Sequence, residues 1–330
     1  MLSRILTTMV LALTLSGCAS LPEDLPMPAQ DFASLPQPGG SLAAVESSLR
    51  QRLDEGQSGF HLLDSNEQGL RWRLALIDSA RHSLDLQYYV WWGDEARNLL
   101  MKRVIEAADR GVKVRLILDD LSTMLEDEQH LRLRDVPAAV TDSHPNVQVR
   151  LFNVWRNRAV GGRVLETLER MERINHRMHN KLLVADNRAA AIGGRNIGNE
   201  YFGLSPAFNF RDLDVVGVGP VARQASAVFD RFWNSSWVIE AELLGVRVAP
   251  GQLERHRQRL GAKLADAEVL ERFPISPQDW QESLATLPTR IHSGTSRVHT
   301  DTPDDGVVRH HMPLAMRELF GSARKEILIV

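Results

Sequence analysis

Apolar positions along this chain switch repeatedly between helical and strand spacing. Residues 70–81 follow a helical period, 84–91 form a short apolar run rich in β-formers, 97–110 return to helical spacing, and 112–118 are strand-like again. Further short runs at 147–152, 182–185, 189–192 and 215–218 continue the series, and a helical stretch at 221–232 closes it. Asp186, Asn187 and Arg188 between two of these runs have turn composition, which predicts a hairpin. Helices interleaved with short apolar strands specify a layered α/β fold. Residues 240–290 lack strand signals and read as a helical segment connecting this body to the C-terminal residues.

The two ends of the chain break the pattern. Arg4 precedes an apolar stretch over residues 5–15, too short to span a bilayer comfortably and suited to the core of a signal peptide. Leu15-Ser16-Gly17-Cys18 then resembles the bacterial lipobox, which implies a signal peptide over residues 1–17 and lipidation of Cys18. That resemblance implies a cell-envelope protein anchored on the periplasmic side, with Ala19 favouring the outer membrane over the inner. Five prolines and a Gly-Gly pair across residues 18–45 predict a tether holding the body off the membrane. Cys18 is the only cysteine, so no disulfide forms within the chain.

At the other end, the stretch from Leu76 to Leu86 is echoed by the stretch from Leu319 to Ile329. The first copy opens the sheet; the second reaches the last residue and stops. We expect residues 46–240 to form one domain and residues 291–330 to be the truncated start of a second, similar one.

Composition excludes little. A chain of 330 residues with 43% hydrophobic and 25% charged residues has ample material for a core. Its formal net charge of −3 gives no general attraction to nucleic acid. Charge is local instead: Arg170, Arg173, His176 and Arg177 lead into the most informative segment, either as a basic approach to an anion or as a solvated helix face.

That segment spells H-x-K-x4-D-x6-G-G-x-N, from His179, Lys181 and Asp186 to Gly193, Gly194 and Asn196. Strand parity points His179 and Lys181 the same way and gives Asp186 the opposite sense, so Asp186 reads as a turn or orienting residue. The glycines allow close backbone approach to a ligand, and Asn196 carries an amide donor. Histidine, lysine and asparagine without metal-ligand partners suit attack on a phosphodiester, with His179 as covalent nucleophile and Lys181 and Asn196 on the phosphate oxygens. A second acid must then protonate the leaving alcohol. Asp212 and Asp214 share a face near the site, where one could orient a histidine or Asp214 bind substrate, or where both are surface or edge-strand carboxylates, and Glu200 could take a headgroup hydroxyl. Asp119 and Asp120 end a strand, as helix caps or as site residues; Tyr89 and Trp91 are candidates for lipid contact or for core.

The motif, with Ser83–Trp91, Ala107–Arg115 and Asp212-Leu213-Asp214-Val215 around it, resembles the phospholipase D superfamily and within it the type C branch of bacterial cardiolipin synthases. Gly194 stands where the wider superfamily commonly has serine. The resemblance implies a phospholipase D-like α/β/α sandwich with a mixed sheet. It also implies a phosphatidyltransferase working through a phosphohistidine without metal or cofactor, on phosphatidylglycerol-like or phosphatidylethanolamine-like lipids. In the family two halves each give one motif to a shared site, and this sequence holds the motif once. A homodimer could rebuild such a site. A phospholipase, a single-motif dimeric nuclease and an inactive lipoprotein fragment remain open alternatives.

Overall fold

The computed structural model describes residues 20–22, 24–91, 93–125, 135–158, 160–303 and 311–327. Cys18, the residue-1–17 signal segment and Trp92 lie outside them.

Five strands carry the site: β2 (Ser83–Tyr88), β3 (Lys113–Asp119), β4 (Val147–Phe152), β5 (Lys181–Ala185) and β6 (Ala189–Gly193). With β1 (Ser58–Leu63), β7 (Asp214–Val218), β8 (Val238–Glu240) and β9 (His292–Gly294), they form a mixed sheet in the order β8-β4-β3-β2-β5-β6-β7-β1-β9 among the described residues. Strands β2, β3 and β4 run parallel, and β5 returns antiparallel against β2, pairing Lys181 with Tyr88. Residues at the C-terminal ends of β2 to β4 and the N-terminal end of β5 therefore share one edge.

Both faces of the central strands are buried, which is why they read as unbroken apolar runs. Leu183 and Ala185 face the larger core with Leu84, Leu86, Val114 and Leu116, whereas Leu182 and Val184 face a second cluster with Ile117 and Phe229. Helices α2 (Asn66–Ser79) and α3 (Glu95–Asp109) cover the first face. Their starts are capped by Ser65 and Asp94, whose side chains accept the N–H of Gln68 and Arg97. Helix α8 (Pro220–Trp233) covers the second face, burying Val221, Ala222, Ala225, Val228, Phe229 and Phe232 at helical spacing. The remaining helices among the described residues are α1 (Ser41–Arg50), α4 (Asp120–Leu125), α5 (Asp135–Asp142), α6 (Val160–Glu169), α7 (Met171–Asn175), α9 (Gln252–Ala265), α10 (Gln281–Arg290) and α11 (His311–Ser322).

Two stretches depart from the sequence expectation. The Pro-rich stretch is laid along the body: Arg115 donates to the Asp31 carbonyl at 3.1 Å, Arg150 to that of Ala29 at 2.8 Å, and Asn187 to that of Ser34 at 3.1 Å. Side-chain donors on the sheet and on the β5–β6 turn satisfy its backbone, and its last part is helix α1. At the other end, β9 pairs with β1 and so extends the first sheet. Helix α11 lies beyond it, exposed along its length, and Glu326 and Ile327 form no strand; residues 328–330 lie outside the described set.

Candidate active site

His179 and Lys181 line one cavity of about 450 Å³ at the shared sheet edge. Phe152, Val228 and Phe232 give it an apolar wall, and the segment from Val298 to Pro303 crosses it, tied down where Asn180 donates to Thr300 Oγ1 at 3.1 Å.

The His179 ring packs against Tyr89 with centroids 5.0 Å apart. Partial burial and then the neighbouring Lys181 cation hold its pKa below the usual imidazole value, so at neutral pH it offers a nitrogen lone pair. Lys181 is buried, donates to the His179 carbonyl at 2.7 Å and lies 5.2 Å from the Tyr89 ring centroid. Burial lowers its ammonium to about 8 against the pull of Asp212 and Asp119. The pair is thus a neutral imidazole beside a cation. Tyr89 touches both His179 and Lys181, whereas Trp91 is core, edge-on to Tyr88 at 5.4 Å.

Asp119 fixes the approach to His179. Fully buried at the end of β3, it accepts the guanidinium of Arg177 at 2.9 Å and the N–H groups of Met178 at 3.0 Å and Leu121 at 2.9 Å. Burial pushes it up to about 6, against the opposing effects of Arg177 and those N–H groups. It both caps a turn and anchors the chain just before His179. The basic lead-in braces the same stretch of chain. Arg173 donates to Asn153 Oδ1 at 3.0 Å and to the Val154 carbonyl at 2.7 Å, and His176 stacks on Trp237 at 4.3 Å.

The other sequence candidates are placed differently. Asp186 sits in the β5–β6 turn with φ 52°, at the far end of β5 from His179 and on the order of 20 Å away at about 3.3 Å per residue. Its carboxylate accepts the N–H groups of Arg81, His82 and Ser83 at 2.7–3.1 Å. It anchors the start of β2 and does not line the cavity. Asn196 is buried, its Oδ1 taken by the Val90 N–H at 3.1 Å while Nδ2 donates to the Tyr201 hydroxyl at 3.0 Å. It does not line the cavity, and neither does Glu200, on the turn Asn199–Tyr201.

Asp214 is no partner of His179. Its carboxylate bonds Arg73 at 2.8 Å and Arg195 at 3.2 Å, both buried. Burial works to raise its pKa, but the two guanidiniums outweigh burial and hold it below the ordinary carboxylate range. The glycines are explained by the same packing. A Cβ on Gly193 would come 2.6 Å from the Asp214 Cα, and one on Gly194 would come 2.6 Å from the Asp212 Cγ. Close approach is needed here by β7, although Gly193 also borders the cavity. Among the described residues, no group of three or more His, Cys, Asp or Glu is arranged to hold a metal ion, and no helix is long and apolar enough to cross a membrane.

The family model for the cardiolipin synthase, PLD-like domain matches residues 74–233. Cardiolipin synthase C of Escherichia coli K12 is 41% identical over 83% of this chain and 57% of its own length. An uncharacterized protein of Helicobacter pylori 26695 is 34% identical over 80% of this chain and 49% of its own. The chain thus spans about half the length of these curated relatives. Among solved structures, phosphatidylserine synthase of Haemophilus influenzae Rd KW20 aligns with a TM-score of 0.42 and 14% identity, over 67% of this chain and 48% of that one.

Proposed function

The chain belongs to the phospholipase D superfamily, on its cardiolipin synthase branch, and from that membership we propose that the His179 cavity transfers phosphatidyl groups between phospholipids. The His179 ring nitrogen attacks the phosphorus of a lipid phosphodiester, and the bond from phosphorus to the headgroup oxygen breaks. The departing alkoxide takes a proton from an opposing acid. The hydroxyl of a second phospholipid then attacks the phosphatidyl-histidine, gives its proton back to that acid, and frees His179. Lys181, cationic below about pH 8, stabilises charge on the non-bridging oxygens.

The observation that carries this reading is the pairing of a neutral histidine and a buried cation on one cavity wall. We assign the opposing acid to a second H-x-K motif, from another copy of the chain or from further polypeptide of the kind that makes the relatives longer. Phosphatidylglycerol-like and phosphatidylethanolamine-like lipids are the proposed substrates, and lipidated Cys18 the proposed anchor on the periplasmic side of the envelope. Hydrolysis differs only in using water as acceptor.

Trapping tests the mechanism. A brief reaction with acyl-labelled phospholipid, stopped by alkaline denaturation and analysed by peptide mass spectrometry, should recover an acid-labile phosphoramidate at His179. Lipid turnover with no adduct, persisting in His179→Ala, would sink the proposal.

A further inference from the structure

Helix α6 is inverted relative to an ordinary surface helix. Its polar residues face the body: Arg163 is buried over the Trp155 ring, Glu166 accepts the N–H of Asn157 at 3.0 Å, and Thr167 accepts the Trp155 indole N–H at 3.0 Å. Its apolar residues face outward. Val164, Leu165 and Leu168, with Met171 at the start of α7, are 52–67% exposed and follow the i, i+1, i+4, i+7 spacing of a single face. Exposed leucines scattered singly are unremarkable, but a contiguous apolar stripe on a helix that turns Arg163 and Glu166 inward marks an interaction surface.

Two observations identify what covers it. Ser20 bridges to Asn157, and the Leu21 N–H donates to the Arg156 carbonyl at 2.8 Å. The polypeptide leaving the proposed lipid anchor at Cys18 thus joins the body at the residues that lead into α6. One residue separates Cys18 from Ser20, a reach of about 7 Å. The α6–α7 segment also leaves the sheet after β4 and returns just before His179, so it stands on the cavity's edge of the sheet.

We propose that α6 and α7 form an interfacial element that inserts Val164, Leu165, Leu168 and Met171 into the surface of a phospholipid bilayer and holds the His179 cavity against its lipid supply. Such a helix sinks its apolar face about 5–10 Å into the boundary between headgroups and acyl chains. The exposed charges beside the stripe, Arg170 against Glu169 and Glu172, give no strong attraction to anionic lipid. Apolar insertion therefore holds the element, and salt leaves it in place. The choice of a bilayer rests on the phospholipid reading of the cavity, whereas the readout below does not depend on turnover.

The test uses the full chain with Cys18→Ser and a single new cysteine, Leu168→Cys, bearing an environment-sensitive fluorophore. Val269→Cys, on the turn after α9, is the control. On vesicles of phosphatidylethanolamine and phosphatidylglycerol, the label at 168 should shift to the blue and be quenched by brominated acyl chains, at low and high salt alike, while the label at 269 stays unchanged. Adding Leu165→Glu to the Leu168→Cys protein should weaken the vesicle response by about tenfold. Equal responses at both positions, or none at 168, would overturn the proposal. So would a label at 168 already shielded without vesicles, which would mean that protein covers the stripe. If the label inserts but no lipid is turned over even when a second H-x-K motif is supplied, this inference stands and the transferase reading fails.

Discussion

The two ends of β5 carry one motif and do two different jobs. At the N-terminal end, His179 is exposed to the cavity, and Lys181 is buried beside it with its charge unmatched by any close carboxylate bond among the described residues. At the C-terminal end, Asp186 is buried and satisfied by three consecutive backbone N–H groups. One end holds unspent electrostatic capacity; the other has committed all of it to the fold. A sequence motif can therefore unite residues at the two ends of one strand that do not share a cavity.

Substitutions should separate the two ends. The largest effect belongs to His179→Ala, which should remove turnover by roughly 10⁶-fold, as loss of a covalent nucleophile does elsewhere, with an unchanged unfolding midpoint. Any lipid transfer well above background in that variant would assign the chemistry to another residue. Lys181→Ala should cost about 2.7–4 kcal/mol of transition-state stabilisation, seen as a fall in kcat on a folded protein. Asp186→Ala should reverse that signature. It should lower stability by about 2–4 kcal/mol in denaturant titration while the folded fraction keeps its kcat, because three N–H groups lose an anionic acceptor. A large kcat loss without destabilisation would give Asp186 a part in the chemistry.

The smallest effect is in the pH profile. His179 must be neutral to attack, and its pKa lies below 6.5, so the rate should fall as pH drops through that lower range. Lys181 must be charged, so the rate should also fall as pH rises through about 8. In Lys181→Arg the alkaline limb should move upward, and an unmoved limb would detach it from this residue.

The strands at 112–118, 147–152, 182–185 and 215–218 were legible because burial on both faces leaves a continuous apolar signature. The hairpin turn was legible from Asp186-Asn187-Arg188. The three-residue strands β8 and β9 were not, since distant pairing partners define them rather than local pattern. Prolines and glycines suggested a free tether at residues 18–45. The arginines that hold this stretch, Arg115 and Arg150, lie about a hundred residues away in sequence. The site was half legible. His179 and Lys181 emerge from spacing, whereas the parts of Asp119 and Tyr89 depend on which strand ends meet. Asp214 looked like a histidine partner because the arginines that claim it sit on α2 and after β6.

That Arg73–Asp214–Arg195 cluster also disciplines assembly. Strand β7 carries Val215, Val216 and Val218, which would tolerate pairing one residue out of place beside the alanines of β6. A slip of one residue, however, turns Asp214 to the opposite face and strands two guanidiniums in a dry interior. The valines make the strand adhesive, and the aspartate makes it particular, so a misaligned sheet carries a charge penalty before the catalytic edge can form.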